Sequence, residues 1–213
     1  QKRINQKHME NGVMILSPET TWIDPSVKIA ADTIIYPNTI IEGNTSIGED
    51  CTIGPNARLT HMMIGNDVHL QSSTAIHSSI GNHVTVGPFA YIRPDCHIAD
   101  NVKIGDFVEV KNSTVGKGTK IPHLTYIGDT DAGEKINFGC GTITVNYDGS
   151  TKHRTVVEDN VFVGCNANLV APVTIHKGSY IAAGSTITKD VPEDVLAVAR
   201  ARQQVINGWV KKH

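Results

Sequence analysis

Residues 23–59 read IDPSVKIAADTIIYPNTIIEGNTSIGEDCTIGPNARL. Within them Ile23, Ile29, Ile35, Ile41, Ile47, Ile53 and Leu59 stand six residues apart without a slip. The same step resumes at Ile64 and Leu70, then at Ile80, Val86, Ile92, Ile98, Ile104 and Val110. It returns at Val115, Ile121 and Ile127, and again from Val157 through Val163, Leu169, Ile175 and Ile181 to Ile187. A hexapeptide period is the mark of a parallel β-helix, in which a single coil cannot bury its apolar residues and stacks on its neighbours to do so. The expected fold is all-β, with Ile, Val and Leu pointing inward over residues 23–191. Three hexads make a coil of about 18 residues, and coils stack about 4.8 Å apart, so about nine of them give a prism on the order of 45 Å long. Gly54, Gly65, Gly81, Gly87, Gly105 and Gly116 each follow a beat residue, where corners are expected to need unusual backbone angles.

The ends break from this pattern. In residues 1–15, Ile4, His8 and Met9 share a helical face and Glu10-Asn11-Gly12 offers a stop, which predicts a short lead-in helix within a segment ending at residue 22. Residues 192–213 lose the beat and read as an irregular or helical tail, with Trp209 docking on a neighbour or on the prism flank. A chain that opens on Gln1 reads as a fragment or processed product, with a domain expected upstream. The net charge of −2 gives no footprint for nucleic acid or a membrane surface. No apolar run nears the roughly 18–20 residues that span a bilayer, and no signal peptide precedes the repeat. The four cysteines, Cys51, Cys96, Cys140 and Cys165, form no CxxC pair. Three of them, Cys51, Cys96 and Cys140, lie four residues after Ile47, Ile92 and Ile136, where small buried side chains are expected. Reduced thiols fit a cytosolic protein.

Two interruptions stand out. The step from Ile127 to Ile136 is nine residues, and the step from Thr142 to Val157 is fifteen, so a loop of about nine residues, 144–153, is expected to bulge out with Asn146-Tyr147-Asp148-Gly149. Loops longer than a repeat requires carry function more often than the scaffold does. Arg93 and Lys111 are 18 residues apart, so they stack on one edge. Two aligned cations suit a phosphate between them, with Arg as a fork and Lys as a point charge. His123, Tyr126 and Asn137 fall within a coil of that pair. A neutral histidine is the usual general base near neutral pH, contributing typically ~10²–10⁴-fold. The chain has ten histidines, and His61, His77, His83 and His97 lack such surroundings.

The segments IRPD at 92–95, VEVKNSTVGKGTKIPHLTYIGD at 108–129, INFGCGTITVNYDG at 136–149 and VFVGCNANLVAPVTI at 161–175 resemble one family closely. It is the C-terminal acetyltransferase domain of the bifunctional bacterial N-acetylglucosamine-1-phosphate uridyltransferase/glucosamine-1-phosphate acetyltransferases. The opening RINQKHMENGVMILSPETTWID at 3–24 resembles the linker between its two domains. The resemblance implies a left-handed β-helix, a homotrimer with active sites between subunits, and a cytoplasmic enzyme of UDP-N-acetylglucosamine and peptidoglycan synthesis. It implies His123 as base, with Arg93, Lys111, Tyr126 and Asn137 on the sugar phosphate. Asn146, Tyr147, Cys140, Cys165, Ala183 and Arg200 would line the acetyl-CoA site. Relatives carry Ala and Ser where this chain has Cys140 and Cys165. No metal is expected for acetyl transfer, since Mg²⁺ belongs to a uridyltransferase half that this chain lacks. The alternatives are a hexapeptide acyltransferase of another amino sugar, a zinc-dependent hydratase using His77 and His83, and a non-catalytic trimerisation stalk.

Overall fold

The computed structural model describes residues 1–210. A helix, α1 (Lys2–Glu10), leads into a parallel β-solenoid of about ten turns. Among the described residues three sheets form its faces. The first face runs through eleven strands from Met14–Ile15 to Leu196–Ala197, the second through ten from Trp22–Ile23 to Thr186–Ile187, and the third through nine from Lys28–Ile29 to Val173–Ile175. Every ladder pairing between these strands is parallel, each to the coil one turn away, as in Ile35 with Ile53 and Ile92 with Val110. We call the edge between first and second faces the first corner, and that between second and third the second corner.

The beat residues are the interior. Ile35, Ile41, Ile53, Leu59, Ile92, Ile104, Val110, Ile121, Ile127, Val163, Leu169, Ile175 and Ile181 are completely buried. Each such side chain contributes roughly 1.5–3 kcal/mol when removed from water. Corners turn on left-handed residues that are mostly Asn, Asp and His, such as Asp32, Asn38, Asp50, Asn56 and His61, because short polar side chains tolerate positive φ.

Three expectations change. The solenoid extends beyond the hexads at both ends: Met14–Ile15 pairs with Ile34–Ile35, and Leu196–Ala197 pairs with Tyr180–Ile181. The tail is irregular after Ala197, and residues 211–213 of it lie outside the described residues. The nine-residue gap after Ile127 is not a break. Val115 pairs with Ala132, and Phe138 with Val163, so the inward series runs Ile127, Ala132, Phe138, Thr144, Val157. Ala132 and Thr144 are too small and too weakly apolar to mark the beat in sequence. The one insertion therefore lies between Thr144 and Val157 and amounts to about seven residues beyond a regular six-residue step. Because Phe138 holds the slot assigned to Ile136, Cys140 is not an interior cysteine: it is partly exposed and Cys165 is exposed, while Cys51 and Cys96 are buried.

The glycines also divide. Gly54 and Gly87 have φ of 96° and 100°, as a corner demands. Gly105 does not: a Cβ there would overlap the Pro122 carbonyl oxygen on the next coil. This close approach seats Asp106 under His123. Gly105→Ala is therefore expected to destabilise the protein by at least about 2 kcal/mol, the cost of forced overpacking, read as a lowered urea midpoint. A midpoint within experimental error of the parent would show that the coils can part there at no cost.

Candidate functional site

The residues marked by the sequence fall into two groups, one at each corner of the second face. At the first corner, the positions two residues past the inward residues Ile104, Ile121, Phe138, Val163 and Ile181 are Asp106, His123, Cys140, Cys165 and Ala183. They form one column parallel to the solenoid axis. At its foot the His123 Nδ1 lies 2.5 Å from Asp106 Oδ1. Nδ1–H donates to the carboxylate, which leaves Nε2 as the lone-pair nitrogen. The hydrogen bond from His123 holds the Asp106 carboxyl below the usual carboxylate range. At the top, Arg200 donates from Nη1 to the Ala183 carbonyl oxygen at 2.9 Å, so the tail reaches the column. Asn137 stands on the first face, in register with Lys120 and Phe162, beside this corner.

At the second corner, Arg93 and Lys111 do stack, but each cation has its own carboxylate. Arg93 Nη1 donates to Glu109 Oε1 at 2.8 Å, and Lys111 Nζ to Asp129 Oδ2 at 3.1 Å. The repulsion that would call for an outside anion is thus offset within the chain. Asp129, only 4% exposed, also accepts from Asn112 Nδ2 at 2.5 Å and from Asn146 Nδ2. Asn146 reaches the Tyr126 hydroxyl as well, at 3.3 Å. A third cation, Lys152, arrives from the inserted loop. Contact with Lys152, and after it Asp129, raises Lys111, while the contact with Lys111 lowers Lys152, as where one of two neighbouring amines keeps its proton and the other yields its own.

The insertion is tied to itself and to the solenoid. Asp148 accepts from Ser150 N and Thr151 N, at 2.8 and 2.7 Å, and from His153 Nε2 at 2.7 Å. Arg154 grips Asp131 through two nitrogens. Tyr147 is exposed, and its hydroxyl donates to Gly149 O. Asn146 and Tyr147 therefore sit at the second corner, whereas Cys140, Cys165, Ala183 and Arg200 sit at the first. Among the described residues no hydrogen bond or ion pair joins the two groups. The histidines of the hydratase alternative are occupied elsewhere: His77 stacks on His61 with ring centroids 4.4 Å apart, and His83 Nδ1 meets Asp67 at 2.8 Å.

Sequence reading missed Asp106, Glu109, Asp129 and Lys152. The coil period could have found two of them, since Asp106 lies 17 residues before His123 and Asp129 lies 18 after Lys111.

Burial works against the charge of Asp129, but hydrogen bonds from Asn112, Lys111 and Asn146 outweigh it and hold the carboxyl below its ordinary range. Asp131 is lowered by Arg154. A carboxyl whose pKa is depressed on folding stabilises the fold above its unfolded pKa, and that contribution drains away as pH falls through the folded value. Stability is expected to hold at pH 5 and to fall below about pH 4. Asp129→Ala, which strands Lys111 and Asn146, is expected to cost about 1–3 kcal/mol and to flatten that acid slope. Urea midpoints from pH 6 to 3 check both, and an unaltered slope would remove Asp129 from the account.

The architecture and the column at its corner define a hexapeptide-repeat transferase scaffold. The chain belongs to the bacterial transferase hexapeptide (six repeats) family, whose model matches residues 26–61, 77–112 and 154–189. It is 58% identical over 210 residues, 99% of this chain and 46% of the relative, to the bifunctional protein GlmU of Clostridium beijerinckii. It is 56% identical over 212 residues, 100% of this chain and again 46% of the relative, to that of Clostridium acetobutylicum. The chain thus spans about half the length of the curated relatives it matches. These matches uphold the resemblance carried by the IRPD, HLTYIGD and NYDG segments. Among solved structures, a UDP-N-acetylglucosamine acyltransferase from Bacteroides fragilis aligns with a TM-score of 0.67 at 19% identity, covering 85% of this chain and 70% of that one. That likeness speaks to fold alone.

Proposed function

We propose that this chain is a glucosamine-1-phosphate N-acetyltransferase, moving acetyl from acetyl-CoA to the sugar amine for UDP-N-acetylglucosamine and cell-wall precursor synthesis. The observation that carries the reading is the Asp106–His123 pair at the foot of a straight column of small residues. An ammonium cannot attack a thioester until it loses a proton. His123 Nε2 takes that proton, the freed amine attacks the acetyl carbonyl, and the CoA thiolate leaves and is protonated. The products are the amide and the free thiol, with no covalent enzyme intermediate. Cys140, Cys165 and Ala183, one coil apart in turn, offer a narrow track for an extended acyl carrier, and Arg200 lies at its far end. Arg93, Lys111, Tyr126 and Asn137 are assigned to the sugar phosphate.

This assignment needs residues from both corners in one site, so the site is proposed to form between copies of this chain in a homotrimer. The exposed apolar ridge beside His123 supports assembly: Phe89 and Phe107 stack at 5.4 Å and are 60% and 56% exposed, with Leu124 above them. Asn146, whose amide is taken by Asp129 and Tyr126, would serve a neighbouring copy's substrate rather than the His123 of its own chain. The enzyme is taken to act in the cytoplasm, and no helix among the described residues is long and apolar enough to cross a membrane.

The test is acetyl transfer from acetyl-CoA to a panel of amino sugars with and without a 1-phosphate. A marked preference for glucosamine 1-phosphate is expected. Equal rates on both classes would overturn the phosphate assignment, and no transfer to any would overturn the enzymatic reading.

A further inference from the structure

Two of the four cysteines stand one coil apart in the same column. Phe138 pairs with Val163, so Cys140 and Cys165 are register partners two residues on. Gly139 N–H to Val163 O at 2.7 Å and Asn166 N–H to Cys140 O at 2.8 Å clamp the two backbones on either side of them. The approach is tight, because a Cβ on Gly139 would come within 2.6 Å of Cys165 N. Stacked residues of adjacent parallel strands lie about 4.7–4.9 Å apart. A disulfide needs Cα atoms roughly 4.4–6.8 Å apart, with Cβ vectors that do not point apart. The column meets the second condition: two register steps below, Asp106 and His123 side chains touch at 2.5 Å.

We propose that Cys140 and Cys165 form a thiol–disulfide exchange site for low-molecular-weight disulfides, closing a cross-coil disulfide on the column above His123. The exposed Cys165 thiolate attacks a small disulfide RSSR, forming Cys165–S–SR and releasing RS⁻. The Cys140 thiolate then attacks the Cys165 sulfur, forming Cys140–S–S–Cys165 and releasing the second RS⁻. Two protein thiols are oxidised, one RSSR is reduced to two RSH, and the two cysteine protons end on the released thiols. The other cysteines are ill placed to compete. Cys51 and Cys96 are buried, and burial pushes both thiols up, away from the reactive thiolate. The bond itself is independent of the proposed function. Its consequence rests on that reading: a disulfide across the acyl-carrier track would block it reversibly.

The experiment incubates the intact chain with oxidised glutathione and counts free thiols. They are expected to fall from four to two, with a peptide map linking Cys140 to Cys165 and dithiothreitol restoring all four. Cys140→Ser is expected to stall with one glutathione on Cys165. Four surviving thiols, a persistent glutathione adduct on Cys165 in the parent, or intermolecular disulfide dimers would each overturn the site. Acetyl transfer is measured on the same samples. Loss on oxidation with return on reduction supports the regulatory consequence, and full activity in the oxidised protein overturns it. Inactivity of the reduced protein would instead count against the proposed function, leaving the thiol result to stand by itself.

Discussion

His123→Ala is expected to lower acetyl transfer to glucosamine 1-phosphate at least about a hundredfold, the lower bound for losing a positioned general base. The expectation follows from what Asp106 does to the ring. Its carboxylate accepts a hydrogen bond from Nδ1–H at 2.5 Å, so the neutral imidazole is held as the tautomer with Nε2 free to accept. Asp106→Asn should weaken this without removing the base, because an amide can donate to Nδ1 and select the wrong tautomer. A loss of about 10–100-fold is expected, in line with other partners that orient a histidine from behind. The Asn variant also differs from the parent in pH response. Asp106, held below the usual carboxylate range, stays charged through mild acid, so the parent keeps its orientation there, while the Asn variant has no charge to stabilise an imidazolium. Rates and pH profiles of the three proteins check this. A change below threefold in His123→Ala would remove the residue from the role.

Phe138→Ala is expected to destabilise the protein by about 3–5 kcal/mol, as large buried aromatic truncations do. Its ring is completely buried and among the largest such side chains in the chain. The coil it serves explains why the loss should be at the high end. The neighbouring inward residues around that turn are Ala132 and Thr144, so one ring fills space that elsewhere is shared among three branched side chains. Removal would leave a void that neighbours held by interstrand bonds cannot collapse into. At this chain length each kcal/mol moves the thermal midpoint by roughly 2–4 °C, so a drop of about 6–20 °C is expected. A loss under about 1 kcal/mol would mean that the coil repacks and that the ring is not its principal filler.

Most of the architecture was legible because a hexad repeats a local rule. Every sixth residue must be apolar to close a coil, and Ile, Val and Leu announce it. Legibility failed at Ala132 and Thr144. There volume is conserved across a coil through Phe138, a three-way compensation that no local pattern records. It failed again at the cysteines, since a slip of two residues moves Cys140 from interior to corner. The histidine was legible, but not its partner: Asp106 becomes adjacent only once coil length is known to the residue. Stacked cations do not by themselves call for a phosphate, because Glu109 and Asp129 come from neighbouring coils to meet Arg93 and Lys111.

By itself the sequence determined the solenoid, most of its inward residues, the stretch that holds the insertion and a first set of candidate side chains. All of these depend on spacing along the chain. Tertiary structure alone decided which of those side chains meet. Stacking turns separations of 17, 18 or 25 residues into neighbours one strand apart, so it paired Asp106 with His123 and Lys111 with Asp129, and set Cys140 beside Cys165. It also divided the candidate residues between two corners of one face. A regular repeat can specify a scaffold through local rules, whereas contacts between coils depend on the accumulated length of every turn between them.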